Sequence, residues 1–403
     1  MLESMEVLRQ QLLERIDLSR EATDTEVYYY IDEIIIEQSK VCYISYLEKG
    51  RIRQELFNSV RKLDVLQELL EDSTITEIMV NGTADIFIEQ NGKISRIDRS
   101  FSTKEKLEDV IQQIVARCNR TVNAANPIVD ARLESGDRVH IILEPVALNG
   151  PIITIRRFPD RPIDMEQLMH WGSITSEAAA FLRQLVVAGY NIFISGGTGS
   201  GKTTFLNGLS NYIPREERII TIEDNAELQI QGIDNLVRLE VRNANVEGCK
   251  EITIRDLIKA ALRMRPNRIV VGEVRSAEAI DMLQAMNTGH DGSLSTGHGN
   301  SPRDMLSRLE AMVLMGMDLP VSAIRRQIAS AINIIVHLGR MRDRSRKVLE
   351  IIEIMEYRDG EIQTHPLYKF KELGTDDNGK VLGSLEKAEE LFHLEKLKNA
   401  GIS

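Results

Sequence analysis

The residues best suited to chemistry lie in one glycine-rich run, Gly196-Gly197-Thr198-Gly199-Ser200-Gly201-Lys202-Thr203. The run matches the pattern G-x-x-x-x-G-K-[ST], a loop that holds phosphate groups. Its glycines let the backbone turn tightly and aim N–H groups inward, and the helix N-terminus beyond them adds partial positive charge. Lys202 is expected to reach the β- and γ-phosphates of a nucleotide, and the Thr203 hydroxyl to ligate Mg²⁺. A glycine-rich turn that binds nothing is disfavoured, because an apolar strand precedes the run and a helix follows it, as the motif requires.

Acidic residues end two further apolar strands. Glu223 and Asp224 follow one strand, and they can hold Mg²⁺ through water or orient an attacking water. Gly272 and Glu273 follow the other, which has the form of a Walker B segment with glycine in place of the usual aspartate. Glu273 is predicted to polarise the water that attacks the γ-phosphate. The alternative in both cases is a solvated strand end with acidic residues.

A second glycine-rich run, residues 288–300, contains two of the seven histidines, His290 and His298. His298 is expected to hydrogen-bond Glu273 or to sense the γ-phosphate, and a packed structural histidine is an equal alternative. Zinc is not expected, because no metal-ligand cluster accompanies the pair.

Arginines are expected to stabilise charge on transferred phosphate, and at least one is predicted to do so. The arginines near the acidic residues are Arg238, Arg242, Arg255, Arg263, Arg265 and Arg275, and those upstream are Arg132, Arg138, Arg156 and Arg157. For any single arginine, an ordinary salt bridge is the alternative. The basic run at residues 340–347 is interpreted as a solvated hairpin loop rather than a nucleic-acid or lipid contact.

The helices and strands that must position these residues fall into segments with different predicted secondary structure. Residues 1–72 have helical periodicity, and residues 73–160 mix alternating strands with a helix at 103–117, which predicts an α+β domain. Two prolines make residues 158–162 the predicted linker. The strands and helices that follow alternate, which predicts an α/β domain at 161–370 with a mostly parallel sheet covered on both faces. Residues 371–403 are predicted to be a polar tail that ends in a helix and packs on this domain.

Composition limits the class of protein. The chain has 403 residues, of which 42% are hydrophobic, and a formal net charge of -11, which disfavours a general nucleic-acid surface. The three cysteines, Cys42, Cys118 and Cys249, form no disulfide framework, which fits a reducing cytoplasm. The first twenty residues lack a secretory signal, and no apolar run is long enough to cross a bilayer, so any membrane contact is expected through a partner.

The combination of motifs resembles the type II/IV secretion ATPases. The segments that carry the resemblance are residues 196–204 (Walker A), 222–224 (Asp box), 262–275 (Walker B) and 295–298 (His box). Residues 76–82, 129–133, 150–158 and 286–293 resemble the CpaF-like branch, the motors of Tad/Flp pilus assembly. The tetracysteine zinc insert of GspE-type relatives is absent, and Gly299 replaces the usual alanine after the His-box histidine.

This resemblance implies a RecA-like P-loop domain, a homohexameric ring, and bound ATP and Mg²⁺ as the only metal. It implies a cytoplasmic motor at the inner face of the cell membrane, held there by an inner-membrane platform protein. It assigns catalysis to Glu273, Lys202, Glu223, His298 and Arg275, Mg²⁺ to Thr203, Glu223 and Asp224, and nucleotide contacts to residues 196–204, Arg132, Arg138, Arg156, Arg157 and His290. A RecA-like nucleic-acid translocase and a nucleotide-gated scaffold that does not hydrolyse ATP remain the alternatives.

Overall fold

The computed structural model describes residues 4–16, 20, 22–90, 92–118, 120–158, 162–242 and 250–402. The chain divides into two compact units, residues 1–160 and 161–403. Most of the predicted linker, and Cys249, lie outside the described residues. Among the residues that are described, no helix has the length and apolar composition needed to cross a membrane.

The first unit begins with helices. They are α1 (Met5–Arg15), α2 (Asp24–Val41), α3 (Tyr46–Arg61) and α4 (Val65–Glu71). Thr23 and Ser45 cap α2 and α3 in reciprocal capping boxes with Glu26 and Glu48. The apolar residues of α1–α3 pack on each other and form a small helical core.

An α+β sheet completes the first unit. Its elements are β1 (Ile75–Asn81), β2 (Asp85–Gln90), β3 (Lys93–Arg96), α5 (Lys104–Arg117), β4 (Ile128–Arg132), β5 (Arg138–Ile142) and β6 (Ile152–Arg156). The strands run in the order β3-β2-β1-β6-β5-β4, and every pair is antiparallel. Thr103 caps α5, whose apolar face packs on the sheet. Periodicity alone does not reveal β4, because its five residues, Ile-Val-Asp-Ala-Arg, do not alternate strictly between apolar and polar.

The second unit is a nine-stranded sheet flanked by helices. Its helices are α6 (Met165–His170), α7 (Ser176–Val187), α8 (Lys202–Ser210), α9 (Ile254–Ala261), α10 (Ala279–Asn287), α11 (Pro302–Gly316), α12 (Val321–Ala331) and α13 (Glu395–Asn399). Its strands are β7 (Ile192–Gly196), β8 (Ile219–Glu223), β9 (Leu236–Glu240), β10 (Arg268–Val271), β11 (Leu294–His298), β12 (Ile334–Arg340), β13 (Arg346–Arg358), β14 (Glu361–Thr375) and β15 (Val381–Lys387).

The sheet order is β15-β14-β13-β12-β7-β11-β10-β8-β9, parallel from β12 to β9 and antiparallel from β12 to β15. Both faces of β7 and β8 are buried, under two separate apolar cores. The predicted mostly parallel α/β sheet is therefore confirmed.

The tail differs from the prediction. Residue 371 lies inside β14, and β15 adds a further strand. This strand forms because Val381 and Leu385, four residues apart on one face, are buried among charged neighbours.

Candidate functional site

The glycine-rich run forms the link between β7 and α8. Gly196 ends the strand, residues 197–201 form the loop, and Lys202, Thr203 and Thr204 open the helix. Gly201 is in the left-handed region, with φ 91°, and no side chain caps the helix N-terminus. The first N–H groups of a nine-residue helix therefore point toward the loop without a side-chain partner.

Two glycines of the loop, Gly196 and Gly197, differ in the space available for a side chain. A Cβ on Gly196 would lie 2.5 Å from Ser200 Oγ and 2.6 Å from the Leu338 carbonyl oxygen. A Cβ on Gly197 would meet no described atom within 4 Å. The open space beside Gly197, together with the exposed helix N-terminus, fits a phosphate group.

Lys202 lies within the loop and is largely buried. Its Nζ donates to the carbonyl oxygens of Gly196 (3.1 Å) and Gly197 (3.0 Å), and lies 3.1 Å from His298 Nδ1. Burial lowers the pKa of the ammonium group. An anionic phosphate would offer this ammonium a stronger partner than two neutral carbonyls.

His298 links the loop lysine to the Walker B acid. Strand β11 runs parallel to β7 and pairs His298 with Gly196, which brings the imidazole to the loop. His298 Nε2 lies 2.7 Å from Glu273 Oε1. Burial lowers the pKa of His298, although the Glu273 carboxylate favours the charged form. The imidazole is thus neutral at pH 7, between an ammonium and a carboxylate.

Arg275 extends this line of contacts. Its Nε and one terminal nitrogen donate to Glu273 Oε2, at 2.9 and 2.6 Å, and its other terminal nitrogen lies 3.2 Å from Asp224 Oδ2. Lys202, His298, Glu273, Arg275 and Asp224 therefore form one continuous series of polar contacts at the carboxyl ends of the parallel strands. This edge is where sheets of this type bind ligands.

Glu223 ends β8 and is 3% exposed. Its Oε2 accepts hydrogen bonds from the backbone N–H groups of Glu227 (2.7 Å) and Leu228 (2.8 Å), while its buried Oε1 has no hydrogen-bond partner among the described residues. Burial raises the pKa of Glu223 to about 7, although the two backbone donors oppose the shift. Gly272 packs closely beside it, since a Cβ there would lie 3.0 Å from Glu223 Cγ.

The oxygen donors at this edge fit Mg²⁺. The unpartnered Glu223 oxygen, the Asp224 carboxylate and the Thr203 hydroxyl are hard ligands of the kind that magnesium uses together with phosphate and water. Within the described part of the chain, no group of three or more histidine, cysteine, aspartate or glutamate side chains is placed to hold a metal ion.

The basic run at residues 340–347 lies beside the loop and is more than a solvated hairpin. Leu338 of β12 pairs with Gly196, so the turn into β13 reaches the phosphate edge. Arg346 Nε donates to the Gly199 carbonyl oxygen at 2.9 Å, and Lys347, 6% exposed, donates to the Gly172 carbonyl oxygen at 2.9 Å. Predicting this placement from the sequence would have required knowing that β12 lies parallel to β7 and next to it.

His290 is not brought to the loop. It precedes β11 at the opposite end of the sheet from His298. Its Nδ1 lies 3.3 Å from the Ala285 carbonyl oxygen, and its own carbonyl accepts from Ser293 Oγ. Strand β11 is five residues long and lies between the two histidines, so no contact of this chain supports the predicted nucleotide contact of His290.

Three of the upstream arginines form a row across the first unit's sheet. Arg132 pairs with Arg138, and Arg138 pairs with Arg156, so the three side chains leave the same face of β4, β5 and β6. Arg138 lies 3.7 Å from Asp130. Like charges placed opposite each other are unfavourable. Part of this charge is already balanced on the same face, because Glu77 pairs with Arg156 and Asp130 lies near Arg138.

Arg157 differs from this row, and its predicted nucleotide contact has no support here. Its side chain is 10% exposed, donates to the carbonyl oxygens of Asp72 and Ile75, and lies 4.0 Å from Asp137. Arg157 is one residue beyond the strand and points away from the Arg156 side. It ties the segment before β1 to the end of β6.

The chain is similar in sequence to a family of known proteins. Residues 60–378 match the family model described as "Type II/IV secretion system protein". A putative conjugal transfer protein of Mycobacterium tuberculosis is 34% identical over 327 residues, covering 80% of this chain and 92% of that protein. The type IV secretion system protein PtlH of Bordetella pertussis is 32% identical over 324 residues, covering 74% and 94%.

The fold is also that of a solved motor protein. The pilus retraction motor PilT, crystallised with bound ADP, aligns with a TM-score of 0.54 over 84% of this chain and 86% of its own, at 18% identity. The likeness confirms the predicted fold class, a RecA-like domain preceded by a smaller domain.

Proposed function

The chain belongs to the type II/IV secretion system protein family, and we propose that it hydrolyses ATP as a secretion or pilus motor. The observation that carries this proposal is the contact series at the loop, in which His298 lies between Lys202 and Glu273. A glycine loop alone can bind phosphate, whereas an acid aligned with the loop lysine is the arrangement that hydrolysis needs.

Each residue of the series has a role in the proposed reaction. The loop N–H groups and Lys202 hold the β- and γ-phosphates of ATP, and Glu273 accepts a proton from the attacking water. Neutral His298 holds Lys202 and Glu273 in register, and Arg275 orients Glu273 through two hydrogen bonds. Mg²⁺, held by Thr203, Asp224 and Glu223, would neutralise charge on the phosphate oxygens.

The arginine row of the first unit is proposed as a phosphate contact. Arg132, Arg138 and Arg156 present three guanidinium groups on one sheet face against two carboxylates, those of Glu77 and Asp130, and the net positive charge suits a triphosphate. This role follows the family resemblance and leaves Arg157 out.

The proposed assembly is a homohexamer of the CpaF-like, Tad/Flp pilus branch. It acts at the inner face of the cell membrane through an inner-membrane platform protein, with ATP and Mg²⁺ as cofactors. What supports this branch is the sequence resemblance of residues 76–82, 129–133 and 150–158 in the first unit and of residues 286–293 in the second.

The test is Mg²⁺-dependent ATP hydrolysis by the full chain across protein concentration, with mass measured in the same samples. Turnover should rise as a ring assembles. Lys202→Ala should weaken ATP binding, and Glu273→Gln should bind ATP without turning it over. Lys371→Ala and Glu361→Gln, which alter exposed residues of β14, serve as matched controls.

The other outcomes separate the alternatives. Wild-type turnover by Glu273→Gln would remove Glu273 as the base. Stimulation by single-stranded DNA would favour a nucleic-acid translocase. ATP binding without turnover in every assembly state would favour the scaffold.

A further inference from the structure

A buried histidine lies next to the strand residue that precedes the phosphate loop, and the proposed reaction does not use it. His337 of β12 is 6% exposed and pairs with Ser195, the residue before Gly196, in the parallel register of β12 and β7. Its Nδ1 lies 2.8 Å from Ser195 Oγ, and Ser195 is fully buried. Buried polar side chains cost free energy unless each finds a partner, so a polar pair at the centre of an apolar sheet needs an explanation.

The ring of His337 has a second hydrogen-bond partner, the backbone of Asn300. Burial lowers the pKa of His337 by more than the Asn300 bond and the Asp304 carboxylate raise it, and the Lys202 ammonium lowers it further. The ring is therefore neutral at pH 7 and carries a single N–H group. Because the bond to Asn300 favours the protonated form, the ring donates there, and since Nδ1 faces Ser195, the donor is Nε2. The Ser195 hydroxyl then donates to Nδ1.

Asn300 belongs to the turn that directly follows His298, between the end of β11 and the start of α11. Within this turn, the Gly299 N–H donates to the Gly196 carbonyl oxygen at 3.3 Å. His337 binds the backbone of the next residue, Asn300. The turn is therefore attached to β7 by one hydrogen bond and to β12 by the other.

We propose that His337 is a positioning residue: it holds the turn after His298 so that this imidazole stays between Lys202 and Glu273. The inference rests on the proposed ATPase function and deepens it. His298 lies 3.1 Å from Lys202 Nζ and 2.7 Å from Glu273 Oε1, and both contacts depend on where the turn sits. A displacement of about 1 Å can lower the rate of a reaction about a hundredfold, although no reacting group is removed. Both hydrogen bonds of His337 go to other residues, so it acts through His298 rather than on the reacting atoms.

Two substitutions separate the two hydrogen bonds of the ring. The amide nitrogen of His337→Gln lies near the position of Nε2 and can donate to Asn300, whereas the shorter amide of His337→Asn lies near Nδ1 and keeps only the Ser195 contact. His337→Asn should lower ATP turnover by roughly tenfold or more, and His337→Gln should stay within about threefold of wild type. The affinity for Mg²⁺·ATP should be unchanged in both, because the loop and Lys202 are intact. His365→Asn on β14, two strands from β12, is the matched control.

A double variant tests a purely structural role of the pair. Replacing both partners of a buried hydrogen bond with apolar groups is nearly neutral for stability. Ser195→Ala combined with His337→Leu should therefore keep the free energy of urea unfolding near that of wild type and still lose turnover. Wild-type turnover in this double variant would show that the pair only fills the sheet.

Crystal structures of the two single variants give a readout that does not need activity. In His337→Asn, residues 298–300 should shift and His298 should leave Glu273, whereas in His337→Gln this contact should stay near 2.7 Å. An unmoved His298 in His337→Asn, or an equal loss of turnover in the two variants, would overturn the positioning role while the ATPase proposal stands. A wild-type protein that binds ATP but never hydrolyses it would overturn the ATPase proposal, and the crystal structures would still show whether His337 holds the turn.

Discussion

His298 Nδ1 lies 3.1 Å from Lys202 Nζ, so the histidine contacts the very ammonium that is proposed to hold phosphate. The parallel register of β11 beside β7 creates this contact, since it pairs His298 with Gly196. A neutral imidazole can accept from the ammonium, whereas an imidazolium would repel it. The lowered pKa of His298, caused by burial, keeps the accepting form at neutral pH.

His298→Ala is therefore expected to reduce ATP turnover by roughly ten- to a hundredfold. The substitution removes the group that holds Lys202 and Glu273 in register, and leaves both reacting groups in place. Steady-state hydrolysis at pH 7 measures the effect, with His365→Ala on β14 as the control. Turnover within twofold of wild type would show that the contact has no part in hydrolysis.

Glu223→Gln is expected to change how stability depends on pH. The pKa of Glu223, raised to about 7, means that the folded chain retains a proton that the unfolded chain loses near pH 4.5. This contribution is therefore fully present below pH 4.5 and is lost as pH rises to about 7, at a cost of about 3 kcal/mol. Urea unfolding between pH 5 and 8 should show this decline in wild type and a flatter profile in the variant; parallel profiles would contradict the assignment.

Gly201→Ala is expected to lower the stability of the fold, whereas Gly197→Ala is expected to lower the affinity for ATP. Gly201 has φ 91°, and a Cβ there would lie 3.2 Å from Arg346 Cδ, so alanine should lower the free energy of unfolding by about 1–2 kcal/mol. Gly197 has open space around its Cβ position, so alanine should leave stability within about 0.5 kcal/mol of wild type. Its methyl group would enter the space assigned to phosphate, so ATP affinity should fall. Urea unfolding and ATP titration of both variants check the pair, and an equal loss of stability would contradict it.

Arg156→Ala and Arg157→Ala form a second pair, in adjacent positions. Arg157 is buried on backbone carbonyls, so its loss should destabilise the first unit by about 2 kcal/mol or more. Arg156 is exposed in the arginine row, so its loss should barely change stability but should lower ATP affinity or turnover. The pair is measured by urea unfolding and hydrolysis. Two results would contradict this interpretation. One is a loss of stability in Arg156→Ala with unchanged ATP affinity and turnover, and the other is unchanged stability in Arg157→Ala.

Much of the second unit can be predicted from the sequence, because a buried parallel strand has an unmistakable apolar run and the phosphate loop has fixed spacing. Glu223 and His298 end parallel strands and Glu273 lies just after one, so their convergence follows from strand direction alone. The role of the hairpin at residues 340–347 could not be predicted, since a charged turn has the same composition whether it faces water or a loop. Arg156 and Arg157 look alike in sequence, and only strand register separates an exposed guanidinium from a buried one. His290 and His298 are close along the chain, but β11 lies between them and places them at opposite ends of the strand.

The central position of β7 in the nine-stranded sheet has an evolutionary consequence. Residues proposed for hydrolysis lie on the strands to one side of it, and the hairpin at residues 340–347, which contacts the phosphate loop through Arg346, lies on the other side. Substitutions in the hairpin can therefore accumulate without replacing any group proposed for hydrolysis. The two flanks of one loop can in this way diverge independently.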